Sequence, residues 1–127
     1  MVVLVIDDNL SFIKLFRLYS REFSKLDYTF STSAKEAISI LNKDKKKKIS
    51  LVVCDIRMPY MSGFDIINYI NSKRPGLPVV LITALDIKYL SKEDLERAHD
   101  VIVKDIGIEK IIHRIEEISK NIENRKT

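Results

Sequence analysis

Cysteine, glycine, proline and long apolar runs are all scarce in this chain of 127 residues. A single cysteine, Cys54, excludes an internal bridge and with it a disulfide-stapled secreted domain. It sits in the apolar run Leu51-Val52-Val53-Cys54 and reads as a small core residue, not as a reactive thiol. No apolar run approaches the roughly 20 residues that cross a bilayer. The opening stretch, Met1 to Ile6, is too short for a signal-peptide core, lacks a basic flank and runs straight into two aspartates, so a cytoplasmic location is expected. Three glycines and three prolines argue against long linkers or disordered segments. The formal net charge of +4 gathers at Lys43 and Lys45 to Lys48. No aromatic residues interleave with these lysines, as a stacking platform for single strands requires. The block reads as a solvated loop tip, and no nucleic-acid binding is expected.

What is present is one domain's worth of chain, long enough to bury about two-thirds of its surface without staples. Apolar, β-branched runs occur at Val2 to Ile6, Tyr28 to Phe30, Ile49 to Cys54, Val79 to Ile82 and Val101 to Val103. Four of them are nearly continuous rather than alternating, as in parallel strands buried on both faces; the second is short, as an edge strand is. Helical patterns separate them. Phe12, Phe16, Tyr19 and Phe23 recur at helical spacing, with Leu15 in the same stripe. Ser33 and Glu36 form a capping box before Ala37, Ile38 and Leu41. Ser62 caps a helix carrying Phe64, Ile67 and Ile70, which Pro75-Gly76 stops. Ser91 caps a fourth helix through Leu95 and Ala98. Ile108, Ile111, Ile112, Ile115, Ile118 and Ile122 line a fifth, read as a face packed on the sheet in preference to a coiled-coil seam. Residues 124–127 read as a polar tail. Five strands each followed by a helix predict a three-layer α/β sandwich with right-handed crossovers.

In such sheets ligands bind beyond the carboxyl ends of the strands. The first strand ends in Asp7-Asp8, the third in Asp55, the fourth in Thr83-Ala84 and the fifth in Lys104. Three converging carboxylates repel, so they must take up protons or be balanced by a cation. The protein donors are all oxygens, which suits Mg2+ and disfavours zinc. The two histidines, His99 and His113, are expected in helical segments away from this edge. A carboxylate beside magnesium is a competent nucleophile toward phosphorus, a lysine neutralises phosphoryl oxygens and a hydroxyl donates to another. Asp55, Lys104 and Thr83 match those three roles.

Val5-Ile6-Asp7-Asp8-Asn9, Val52 through Gly63, Leu81-Ile82-Thr83-Ala84 and Val103-Lys104 together resemble the receiver domain of two-component response regulators. The resemblance covers nearly the whole chain. It implies a flavodoxin-like, doubly wound five-stranded sheet in the order 2-1-3-4-5, with five helices. It implies Asp55 as phosphoacceptor, with Mg2+ held by Asp8 and Asp55 directly, by Asp7 mostly through water and by the backbone carbonyl of Arg57. Thr83 and Lys104 would grip the phosphoryl group. A sensor histidine kinase or phosphotransfer protein would be the donor, and the fourth helix, fifth strand and fifth helix would rearrange toward a downstream protein target. Residues 1–127 would be a single receiver domain with no output domain, without enzymatic turnover on added substrates and without a membrane; a weak homodimer is allowed.

Two positions depart from the family. Val101 stands where an aromatic switch residue usually lies. Asp105 follows Lys104 where a cis proline is usual, and a non-proline cis bond costs about 2.5–4 kcal/mol. A differently shaped loop is therefore expected, with Asp105 pairing with Lys104. One alternative is a degenerate receiver acting as a phosphorylation-independent docking module. Another is a magnesium phosphatase with an aspartyl intermediate; such enzymes place a second acid where Arg57 stands. A third, flavin binding, conflicts with Asp7-Asp8-Asn9, which would repel the flavin phosphate.

Overall fold

A computed structural model describes residues 1–126, Lys126 by its backbone alone. Five strands, β1 (Val2–Ile6), β2 (Asp27–Ser31), β3 (Ile49–Asp55), β4 (Val79–Thr83) and β5 (Asp100–Val103), alternate with five helices. The helices are α1 (Leu10–Phe23), α2 (Ala34–Lys43), α3 (Gly63–Lys73), α4 (Lys92–Arg97) and α5 (Ile108–Lys126). All pairings are parallel and the strand order is β2-β1-β3-β4-β5, as expected.

The continuous apolar character of β1, β3 and β4 has a direct cause. Alternate side chains enter two separate cores, one on each face of the sheet. Val3, Val5, Leu51, Val53, Val80, Ile82 and Ile102 meet α1 and α5. Leu4, Ile6, Val52, Cys54, Val79 and Leu81 meet α2 and α3. Each such aliphatic side chain contributes about 1.5–3 kcal/mol when fully buried. The isoleucines of α5 from Ile111 to Ile122 are all buried in the first core. That seam is consumed in packing on the sheet, leaving no ridge for a coiled-coil partner.

Several local readings are corrected. Leu15 does not share the buried stripe of α1; it is 50% exposed, while Ile13, two residues back and about 200° around the helix, is buried. Ser33 caps α2 by accepting the Glu36 N–H, but the reciprocal capping box forms at α3, where Ser62 and Asp65 satisfy each other's backbone N–H. His99 lies outside any helix, and its N–H donates to the Val79 carbonyl where β5 begins to pair with β4. The supposed polar tail continues α5 through Lys126, and Thr127 lies outside the described residues. The lysines from Lys45 to Lys48 are exposed, as a loop tip should be. Among the described residues, no helix is long and apolar enough to cross a membrane.

Candidate functional site

The sheet register builds the site. Ile6 stands opposite Cys54, so the next residues, Asp7 and Asp55, emerge side by side. Strand alternation turns both toward the face shared with α1 and α5, together with Lys104, two residues beyond Ile102. Thr83 and Val101 fall on the opposite face, with Leu81. Oxygen atoms of Asp7, Asp8 and Asp55 all lie within 4.8 Å of one another. Asp7 is fully buried, Asp55 nearly so, and Asp8 is exposed at the mouth. Asn9 caps α1 by accepting the Phe12 N–H, and its own N–H donates to Asp7 Oδ1 at 2.9 Å.

Lys104 is the cation of this rim. Its Nζ lies 2.6 Å from Asp7 Oδ2 and 3.4 Å from Asp55 Oδ2. The shorter contact is an ion pair without hydrogen-bond alignment, so Asp7 Oδ2 is buried with no donor among the described residues. Burial first, then the neighbouring Asp7 charge, push the Asp55 carboxyl up to about 6 from 3.8; Lys104 and the Arg57 N–H pull the other way without prevailing. Burial likewise pushes the Cys54 thiol up, aided by the Asp55 and Asp7 charges, and keeps it un-ionised.

The expected pair between Lys104 and Asp105 does not form. Lys104 turns inward to the two aspartates, and Asp105 is exposed in a short 3-10 turn, Lys104–Ile106. All peptide bonds among the described residues are trans. The turn closes where Gly107, at φ 92°, donates its N–H to the Lys104 carbonyl, a conformation that a side chain resists. Thr83 is buried, and its Oγ1 accepts the Leu85 N–H at 3.0 Å, leaving its own proton available to donate. Val101 is half-buried against the core shared with α2 and α3.

Sequence reasoning missed two contributors. The Phe12 ring, read only as core stripe, lies under Lys104, with Nζ 4.5 Å from its centroid. Gly63 touches the strand that carries Asp55: a Cβ there would meet the Asp55 carbonyl oxygen at 2.8 Å and Leu81 Cδ2 at 2.7 Å. A glycine directly after the Ser62 cap was the available signal for the second; the first had none, because it depends on how α1 lies across the sheet.

The donor set fits a small hard cation. It is oxygen only, carries three carboxylates, includes one buried oxygen with no aligned hydrogen bond among the described residues, and opens to solvent through Asp8. A cavity of about 540 Å³ lies instead at the opposite rim, beside Ile49, Leu77, Pro78 and His99.

The sheet is doubly wound, with acids and a lysine at its carboxyl rim, and comparison with known proteins gives the family. Residues 3–116 match the family model of the response regulator receiver domain. The chain belongs to that family. It is 33% identical over 82 residues to the response regulator SaeR of Staphylococcus aureus, covering 65% of this chain and 34% of that protein. It is 32% identical over 85 residues to the probable transcriptional regulatory protein TcrX of Mycobacterium tuberculosis, covering 66% and 36%. The aligned stretch spans about a third of those relatives. The receiver domain of Francisella response regulator 1452 superposes with a TM-score of 0.81 at 25% identity, over 95% of this chain and 98% of that one. TrrA of Thermotoga maritima, solved in complex with Mg2+-BeF, shares the fold with a TM-score of 0.69 at 24% identity, over 91% and 96%.

Proposed function

We propose that this receiver domain takes a phosphoryl group onto Asp55, from a phosphohistidine on a sensor histidine kinase or phosphotransfer protein. One observation carries the reading: Asp55 is a nearly buried carboxylate, held against a second carboxylate with Lys104 the one cation paired to them among the described residues. A group whose charge is disfavoured at rest gains most when that charge is neutralised. At neutral pH, with a carboxyl near 6, Asp55 is mostly ionised and nucleophilic.

An Asp55 oxygen attacks phosphorus in line. The new O–P bond forms as the P–N bond breaks, and the imidazole nitrogen keeps the electron pair. Lys104 then faces the equatorial oxygens as a fixed positive charge, and the Thr83 hydroxyl turns to donate to one of them. Magnesium held by Asp7, Asp8, Asp55 and the Arg57 carbonyl would supply the charge neutralisation that lets two anions approach; TrrA, of the same fold, was solved with that ion and BeF. Thr83 and Val101 lie on one face in neighbouring strands, so a Thr83 shift reaches α4, β5 and α5 through a small aliphatic group instead of a swinging ring. The domain is a signalling module, working in the cytoplasm and signalling through protein contacts. Residues 1–127 act as one receiver unit.

Incubation with magnesium and acetyl phosphate, followed by intact-mass measurement, tests the reading. The wild-type protein gains one phosphoryl group; Asp55→Asn does not, and chelation of the metal abolishes the gain. A wild-type protein that never gains mass would instead be a docking module that works without phosphorylation.

A further inference from the structure

We propose that Phe12 is a positioning residue for Lys104, its ring holding the ammonium group in place for phosphoryl transfer. The proposal rests on Asp55 being the phosphoacceptor. Lys104 follows β5 and opens a tight turn, so its four-carbon stem is held by nothing in its own segment. Freezing such a side chain costs rotamer entropy. Two things hold it here. One is the pair of carboxylates, Asp7 and Asp55. The other is Phe12, whose ring face lies 4.5 Å from Nζ, inside the range of a cation–π contact.

The two holds behave differently. The carboxylates attract Lys104 only while their charge is uncompensated, and any other cation among them weakens that pull. The ring's attraction comes from its quadrupole and survives such neutralisation. The ring is also fixed in advance. Phe12 is half-buried, and its ring meets Phe16 edge-on at 6.0 Å. Phe16 is fully buried and itself wedged against Tyr28 at 5.2 Å and Phe30 at 5.6 Å. The Asn9 cap pins the Phe12 backbone. An aromatic chain from β2 through α1 thus ends under the lysine, and it supplies from the side the aim that the Asp105 turn does not.

The test uses the whole chain as wild type, Phe12→Leu, Phe12→Tyr, Lys104→Met and the Phe12→Leu/Lys104→Met double variant. In the metal-free wild-type protein, the Lys104 ε-methylene protons should be shifted upfield by the ring current; Phe12→Tyr keeps the shift and Phe12→Leu removes it. With magnesium and saturating acetyl phosphate, Phe12→Leu should lower the limiting phosphorylation rate roughly 5- to 10-fold, and Phe12→Tyr should restore it to within about twofold. In the Lys104→Met background, Phe12→Leu should have no further effect. A wild-type lysine without the upfield shift overturns the proposal, and this readout needs no variant to fold. So does a Phe12→Leu rate equal to wild type, a Phe12→Tyr variant as slow as Phe12→Leu, or fully multiplicative effects in the double variant. A wild-type protein that gains no phosphoryl group overturns the reading of Asp55 itself, a result separate from all of these.

Discussion

Two aspartates at opposite ends of the same sheet show how environment assigns a role. Asp44 lies near the amino ends of the strands. Its oxygens accept the Lys48 and Ile49 N–H groups, each at 2.9 Å, and pair with Arg74 at 2.8 Å. Arg74 in turn donates to the Ile49 carbonyl. Burial alone would push the Asp44 carboxyl up, but those three donors outweigh it and hold it below the usual range. Asp55, at the carboxyl ends, has the Arg57 N–H and one long lysine hydrogen bond, at 3.4 Å, from a cation shared with a second acid, and it is pushed up to about 6. A fully satisfied carboxylate ties a loop to a strand; one whose donors do not outweigh its burial and a neighbouring charge is left ready for a cation and a phosphoryl group.

The sharpest way to break the contrast is to strip Asp44 of its partner. Arg74→Met leaves a carboxylate of low exposure without its cation and should cost about 2–3 kcal/mol, or roughly 10 °C in the melting temperature. The phosphorylation rate with acetyl phosphate should be unchanged. A small thermal effect would mean that water replaces Arg74.

Gly63→Ala acts across the site's own wall. Its Cβ would press on the Asp55 carbonyl, the Ile56 Cα and Leu81, so about 2 kcal/mol of destabilisation is expected. Because Gly63 also donates its N–H to the Ile56 carbonyl at 2.8 Å, the strain should reach Asp55 and slow phosphorylation as well. Equal rates in the two proteins would show that the loop yields independently of the strand.

Asp55→Asn should have the smallest and opposite effect: without metal it should stabilise the fold by about 1 kcal/mol, or roughly 4 °C, because it removes a disfavoured charge. The pH dependence has a defined sign. Below about pH 4 the carboxyl is protonated in both folded and unfolded chains, and its preference for the protonated form stabilises the fold in full. As pH rises from 3.8 to about 6, the unfolded chain ionises first and this contribution is lost. The melting temperature of the wild type relative to Asp55→Asn should therefore fall over that window and then level off. A difference that rises with pH would place Asp55 with Asp44, as a satisfied structural group.

How far the sequence reads correctly depends on whether the signal is local. β1, β3 and β4 were legible because burial on both faces leaves nearly unbroken apolar runs, β2 and β5 as shorter runs at the sheet's edges, and α5 because its isoleucines keep helical spacing. The convergence of Asp7, Asp8, Asp55 and Lys104 was legible because parallel strands place their ends at one rim. Leu15 was misplaced because an aliphatic residue at one helical turn from others looks buried until the helix's rotation against the sheet is known. The Ser33 box was misplaced because the motif fits both sites while only Asp65 closes the second bond.

The chain's order of residues alone determined the layers, the strand polarity and the identity of the acidic rim, since periodicity and strand ends are properties of neighbours along the chain. Only the folded arrangement decided that Lys104 turns to Asp7 instead of Asp105, that Phe12 lies beneath it, and that Asp44 is quenched while Asp55 is not. Those outcomes depend on distances between residues far apart in sequence, and Coulomb and ring-quadrupole energies change steeply over the few ångströms that packing sets.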